Sequence, residues 1–300
     1  MANNVKITLK KFIPFLFVIL WSTGFIGAKY GLPYAGTGDF LSIRTVGNIL
    51  IFILLLLLLK QPKLSLKQVL HSMVTGVLIH GAYLGGVFAA IEHGIPAGVT
   101  AIIVGLQPLL TAFIAMYLFK ELLSRTQWLA LAIGVLGIAL VVSSQVDLSK
   151  VSVGALIYAF IALLGITVGT LYQKKFCQHQ PLLPSVLWQY IASLAVFLPL
   201  AYVQAAPQVS WQPEFIYTLL WLVIALSAVS ILLLLYMIEH GAASKVASYF
   251  YLVPPATAFQ AWLLFDERLS LVSIIGMIIC VASVYVITHK TNKLNIGSKP

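Results

Sequence analysis

Charge is what this 300-residue chain has least of: 9% of its residues are charged and only eight are acidic. Soluble domains carry roughly a quarter charged residues, so a soluble globular protein is excluded. Two cysteines, Cys177 and Cys280, are too few for a disulfide framework or a cysteine metal cluster, and they imply no redox compartment. No Asp or Glu lies deep in an apolar run; Glu92, Glu121, Glu239, Asp266 and Glu267 all stand at run ends. That excludes a buried carboxylate proton carrier. Linkers, low-complexity tracts and soluble appendages are also missing.

What is there is apolar. Hydrophobic residues make up 61% of the chain, and mean hydropathy is +1.01. Ten runs are long enough to cross a hydrocarbon core: 12–31, 40–59, 71–91, 97–119, 127–145, 152–173, 184–204, 215–238, 246–265 and 270–289. These are numbered spans 1 to 10. The expected fold is an all-α integral membrane protein of ten transmembrane helices, with basic tails at 1–11 and 290–300 that should be disordered. Lys6, Lys10 and Lys11 ahead of span 1 resemble a signal peptide. Trp21, Ser22, Thr23 and the lack of a small-x-small cleavage site favour a retained helix instead. Net charge is +10, which elsewhere suggests nucleic-acid binding; here the basic residues lie in short loops and tails. With both termini cytoplasmic, 14 of the 18 basic residues fall inside, leaving Lys29, Arg44, Lys150 and Arg268.

The tetrapeptide Ile-Glu-His-Gly occurs at 91–94 and again at 238–241. Downstream, with one gap, Pro108 pairs with Pro254, Thr111-Ala112-Phe113 with Thr257-Ala258-Phe259, and Glu121 with Glu267. The chain is a duplication of units 12–145 and 152–289. Five helices per unit, an odd number, force the second unit to enter the membrane upside down. Two inverted five-helix repeats supply two near-equivalent states, one open to each side, which is the basis of alternating access.

These residues carry a resemblance. Trp21 to Tyr30 in span 1, Leu106-Gln-Pro-Leu-Leu-Thr111 in span 4, and the turns Lys120–Ser124 and Asp266–Ser270 resemble the EamA-type transporters of the drug/metabolite transporter superfamily. Gly276 falls where that family has glycine; its repeat partner Ala130 departs from the pattern. The resemblance covers residues 12–289 and implies export of metabolites, amino acids or drugs across a bacterial inner membrane. It does not identify the cargo.

Candidate site residues follow from polarity inside apolar runs. Pro108 in span 4 and Pro254-Pro255 in span 9 weaken the carbonyls of Val104, Phe250 and Tyr251. Matching places in both halves favour bends that line a central site over incidental kinks. Gln107 and Thr111 share a face beside the first bend, and Tyr251 flanks the second. Arg44 in span 2 has two readings: a snorkelling cation, or a carboxylate-binding one that uses its bidentate fork. His80 shares a face with Tyr83 and is either a helix–helix hydrogen bonder or a proton-sensitive group. Trp21, Tyr172, Trp188 and Gln189 are further candidates for cargo contact, against a background of packing and interface anchors. The expected cavity is bounded by spans 1, 3, 4, 6, 8 and 9, with Gln107 and Tyr251 near its midplane. Gly27/Gly31, Gly81/Gly85 and Gly165/Gly169 read as close helix packing. Glu121 and Glu267 read as helix caps and topology signals.

The expected function is secondary transport of a small metabolite. An intramembrane enzyme would need a polar cluster, but the only acid–His neighbours, Glu92-His93 and Glu239-His240, lie on opposite faces in this topology. A passive channel or scaffold is the other alternative. No catalytic residue, metal or cofactor is expected. The partners are a small-molecule substrate and the lipid bilayer, with no nucleic acid; a homodimer is compatible with the sequence.

Overall fold

The computed structural model describes residues 2–95, 97–120, 123–143, 152–204, 208–265 and 270–296. Among them there is no strand. The helices are α1 (Ala2–Gly31), α2 (Thr37–Leu58), α3 (Leu66–Glu92), α4 (Ala97–Gly105), α5 (Gln107–Leu118), α6 (Arg125–Ser143), α7 (Val153–Phe176), α8 (Leu182–Gln204), α9 (Pro213–His240), α10 (Ala243–Ser248), α11 (Val253–Phe265) and α12 (Leu271–Ile296). A 3-10 turn, Tyr249–Leu252, joins α10 to α11. Six segments are long and apolar enough to cross a membrane, judged by length and composition: Phe12–Gly31, Thr37–Leu58, Leu66–Glu92, Val153–Phe176, Leu182–Val203 and Pro213–His240. Ile103–Leu118, Arg125–Leu140 and Ile274–Ile287 are shorter apolar helices. The chain is a multi-pass, all-helical membrane protein.

The tails depart from expectation. Residues 2–11 and 290–296 continue α1 and α12 as helix where disorder was expected. Neither stretch contains Pro or Gly, and a helix already nucleated in the apolar run extends at low cost per residue. Glu121 and Glu267 lie outside the described residues.

Helix ends are set by identifiable caps. Ser65 and Gln68 form a reciprocal capping box at the start of α3. Ser152 accepts from the Ala155 N–H at the start of α7. The two Ile-Glu-His-Gly copies end α3 and α9 in the same way: His93 Nδ1 bonds the Ala89 carbonyl at 2.8 Å, and His240 Nδ1 bonds the Tyr236 carbonyl at 2.9 Å. Each imidazole thus adds a side-chain bond to a carbonyl in the last turn of its helix. Glu92 reaches across to accept the Thr37 N–H at 3.1 Å, placing negative charge at the positive end of α2.

Apolar side chains face outward as well as inward, and polar ones are buried among the helices. Leu57, Val153 and Leu271 are more than 70% exposed, while Ser22, Asn48, Gln107, Gln189 and Ser230 are buried. Backbones approach closely where side chains are absent: a Cβ at Gly76 would strike the backbone of Gln189, and one at Gly165 would stand 2.6 Å from the Tyr83 nitrogen. Small residues permit such approach in a bilayer, where lipid tails are as apolar as leucine.

Two features of the helices shape the interior. α3 and α9 each contain a π-helical stretch, Val77–Leu84 and Leu222–Ser230, and such stretches are frequent at functional sites. Span 4 is a broken helix, α4 then α5, with the break at Leu106; span 9 is α10, the 3-10 turn and α11. Pro108 and Pro254-Pro255 occupy first turns of α5 and α11, where a missing N–H is harmless. The prolines lie just after the points where the helical hydrogen-bond pattern changes, and the chain keeps helical dihedrals through both.

Candidate functional site

Three voids follow one another through the helices. The first lies among α1, α2, α3 and α9, with Trp21, Phe25, Arg44, His80, Tyr83 and Leu226 on its wall. The second shares Trp21, Phe25 and Tyr83 with it, and is closed by Val104 and Gly105 at one helix break and by Phe250, Val253 and Pro254 at the other. The third shares Phe250 and reaches Gln107 and Thr170. The broken helices thus face one another across the middle void.

The first void holds the strongest chemistry. Arg44 is 3% exposed, so its head does not snorkel to water. Its Nε and Nη2 donate to Ser227 Oγ at 3.1 and 2.8 Å, on the π stretch of α9. Nη1 has no protein partner. Tyr190 of α8 donates its hydroxyl to the Ser227 carbonyl at 2.8 Å. His80, on the π stretch of α3, stacks on Tyr190 with centroids 4.5 Å apart, and its Nε2 is unpartnered. Trp21 Nε1 donates to the Tyr83 hydroxyl at 3.0 Å, and the two rings stack. Among the described residues, no Asp or Glu pairs with Arg44. A buried, uncompensated cation is costly, and a site of this kind suits an anion.

The remaining candidates disperse. Gln107 borders the third void with both amide atoms unpartnered; Thr111, one turn on, is also buried with an unpartnered hydroxyl. Gln189 joins a polar cluster on α8, donating to Gln173 Oε1 at 3.3 Å and Ser185 Oγ at 3.4 Å. Trp188 beside it is half-buried. Tyr172 pairs with His71 at 2.7 Å near the C-terminal end of α7, away from the three voids. Tyr251 turns from the cavity: it is fully buried against α6 and donates to the Leu131 carbonyl at 2.9 Å. Phe250 takes the cavity-facing place, because adjacent residues in a 3-10 turn point about 120° apart. Among the described residues, no three His, Cys, Asp or Glu side chains converge as metal ligands.

Sequence reasoning missed Ser227, Tyr190 and Phe250. One signal was available: His80 and Ser227 each stand eleven residues before Ile-Glu-His-Gly, and Tyr83 and Ser230 each stand eight before it.

The comparisons agree with a membrane transporter. Residues 11–143 and 153–289 each match the EamA-like transporter family, and the chain belongs to that family. The uncharacterized transporter YvbV of Bacillus subtilis is 26% identical over 276 residues, covering 91% of this chain and 90% of that protein. Probable amino-acid metabolite efflux pumps are 23% identical over 190 residues in Salmonella typhimurium (62% of each chain) and 22% identical over 289 residues in Escherichia coli (90% of this chain, 92% of that protein). A chain of known crystal structure, 17% identical, superposes with a TM-score of 0.76 over 94% of this chain and 97% of that one, so the fold is shared.

Proposed function

We propose that the protein is a secondary transporter of the bacterial inner membrane that exports a small metabolite by alternating access. In this reading ten crossings form two inverted five-helix repeats, 12–145 and 152–289, with both termini cytoplasmic; each broken helix set counts as one crossing. The observation that carries the reading is the row of voids between the halves, with both breaks, each followed by proline, facing the middle one.

Reciprocal packing supports it. α1 packs on the π stretch of α9 as α7 packs on that of α3; α2 meets the former stretch as α8 meets the latter; α1 meets α11 as α7 meets α4 and α5. A twofold relation between halves predicts such pairs, and an odd number of crossings per half would lay its axis in the membrane plane. Trp21–Tyr83 and Phe250 separate the voids and are the natural barriers for a path opening to alternate sides.

Amino-acid metabolites, the cargo class named for the Salmonella and E. coli pumps, are the class proposed here. Metabolites should accumulate outside overexpressing cells, and flux of the accumulated compound into everted vesicles should saturate and be competed by unlabelled compound. Unsaturable, uncompeted flux would favour the passive channel, and an unchanged exometabolome would overturn export.

A further inference from the structure

We propose that the Arg44 void takes a small organic acid with an apolar body, and that it rejects the α-amino acid of the same skeleton. This rests on the transporter reading above and narrows its cargo, within amino-acid metabolites, to acids that have lost the amine.

The guanidinium geometry comes first. Arg44 presents two hydrogen-bonding edges. Ser227 Oγ occupies the edge formed by Nε and Nη2, at 3.1 and 2.8 Å. At the other edge, formed by Nη1 and the second N–H of Nη2, Nη1 is buried and has no protein partner. Two parallel N–H groups match the two oxygens of a carboxylate. Ser227 holds the plane of the fork, so the ligand need not order it.

Charge comes second. Among the described residues on the wall of this void, Arg44 is the one charged side chain and none is Asp or Glu. A monocarboxylate neutralises it. A zwitterion would bring an ammonium for which no counter-charge is at hand, and burying an unpaired ion is costly. His80 Nε2, also unpartnered, supplies a second polar contact to the acid. The rest of the wall, including Trp21, Phe25, Phe88, Leu226 and Ile231, is apolar or aromatic and suits a hydrocarbon body.

The test uses full-length purified protein and two matched pairs of probes: 3-phenylpropanoate against phenylalanine, and 4-methylpentanoate against leucine. Binding is read by thermal stabilisation in detergent and by competed flux in proteoliposomes. Each acid should bind more tightly than its amino acid by about tenfold or more, the cost of an unpaired ammonium. Arg44→Gln should weaken acid binding by roughly tenfold to hundredfold, and Arg44→Lys, which keeps the charge and loses the fork, should fall between. Where Arg44→Gln does not fold, the acid-to-amino-acid ratio of the parent protein decides alone. Equal or tighter binding of the amino acids overturns the acid proposal and leaves export standing. Binding of none of the four probes, by a protein whose cells still export a metabolite, also overturns the acid proposal. If exported metabolites are absent as well, the transporter reading fails with it.

Discussion

Gly165 tests whether the contact between α7 and the π stretch of α3 holds the site in shape. A Cβ at Gly165 would lie 2.6 Å from the Tyr83 backbone nitrogen and 2.9 Å from both Ala82 Cβ and the Leu78 carbonyl oxygen. Carbon contacts settle at about 3.5–4.0 Å, so Gly165→Ala requires a retreat of roughly 1 Å between two backbones, neither of which is a flexible side-chain tip. Overpacking of this kind costs about 1–3 kcal/mol, which corresponds to a fall of roughly 2–10 °C in the unfolding midpoint. The same retreat displaces Tyr83 relative to Trp21, whose indole bond to the hydroxyl is 3.0 Å long, so cargo affinity should fall along with stability. Gly154→Ala is the control: nothing lies within 4 Å of its added Cβ, and it should be neutral or slightly stabilising, by up to about 1 kcal/mol. The assay is thermal unfolding in detergent, followed by circular dichroism, with flux measured in parallel. Identical melting of the two variants would refute the close-packing argument; a lower midpoint with unchanged cargo affinity would refute the link from Gly165 to the site.

Two further predictions concern the third void and the topology. Gln107 is fully buried with both amide atoms unpartnered, so Gln107→Ala and Gln107→Leu should keep expression normal while cargo affinity falls up to about tenfold, the worth of one net hydrogen bond; parental transport by both at sub-saturating cargo would exclude Gln107 from the site. Reporter fusions after Pro300 and near Gln208 should read cytoplasmic and periplasmic, respectively, and a periplasm-active reporter at Pro300 would overturn the orientation argued from loop charge.

Much of this architecture is written in local pattern. The apolar runs, the paired Ile-Glu-His-Gly turns and the matched prolines are legible because hydrophobic length and helix-stopping chemistry act within a few residues of themselves. Even the broken helices were foreshadowed, since a proline cannot continue the ladder it interrupts. What no local pattern carries is which faces meet. Arg44 and Ser227 are 183 residues apart in the chain, and only the crossing of α2 with α9 turns an arginine that could have snorkelled into a buried cation whose Nη1 has no protein partner. His80 stacks on Tyr190 for the same reason: helices that fold as independent cylinders acquire partners when they pack. The exchange of Tyr251 for Phe250 on the cavity wall shows the limit most clearly. A single step along a 3-10 turn rotates a side chain by about 120°, and the contacts of Tyr249–Leu252 with α6, more than a hundred residues away in sequence, set which residue faces the cavity.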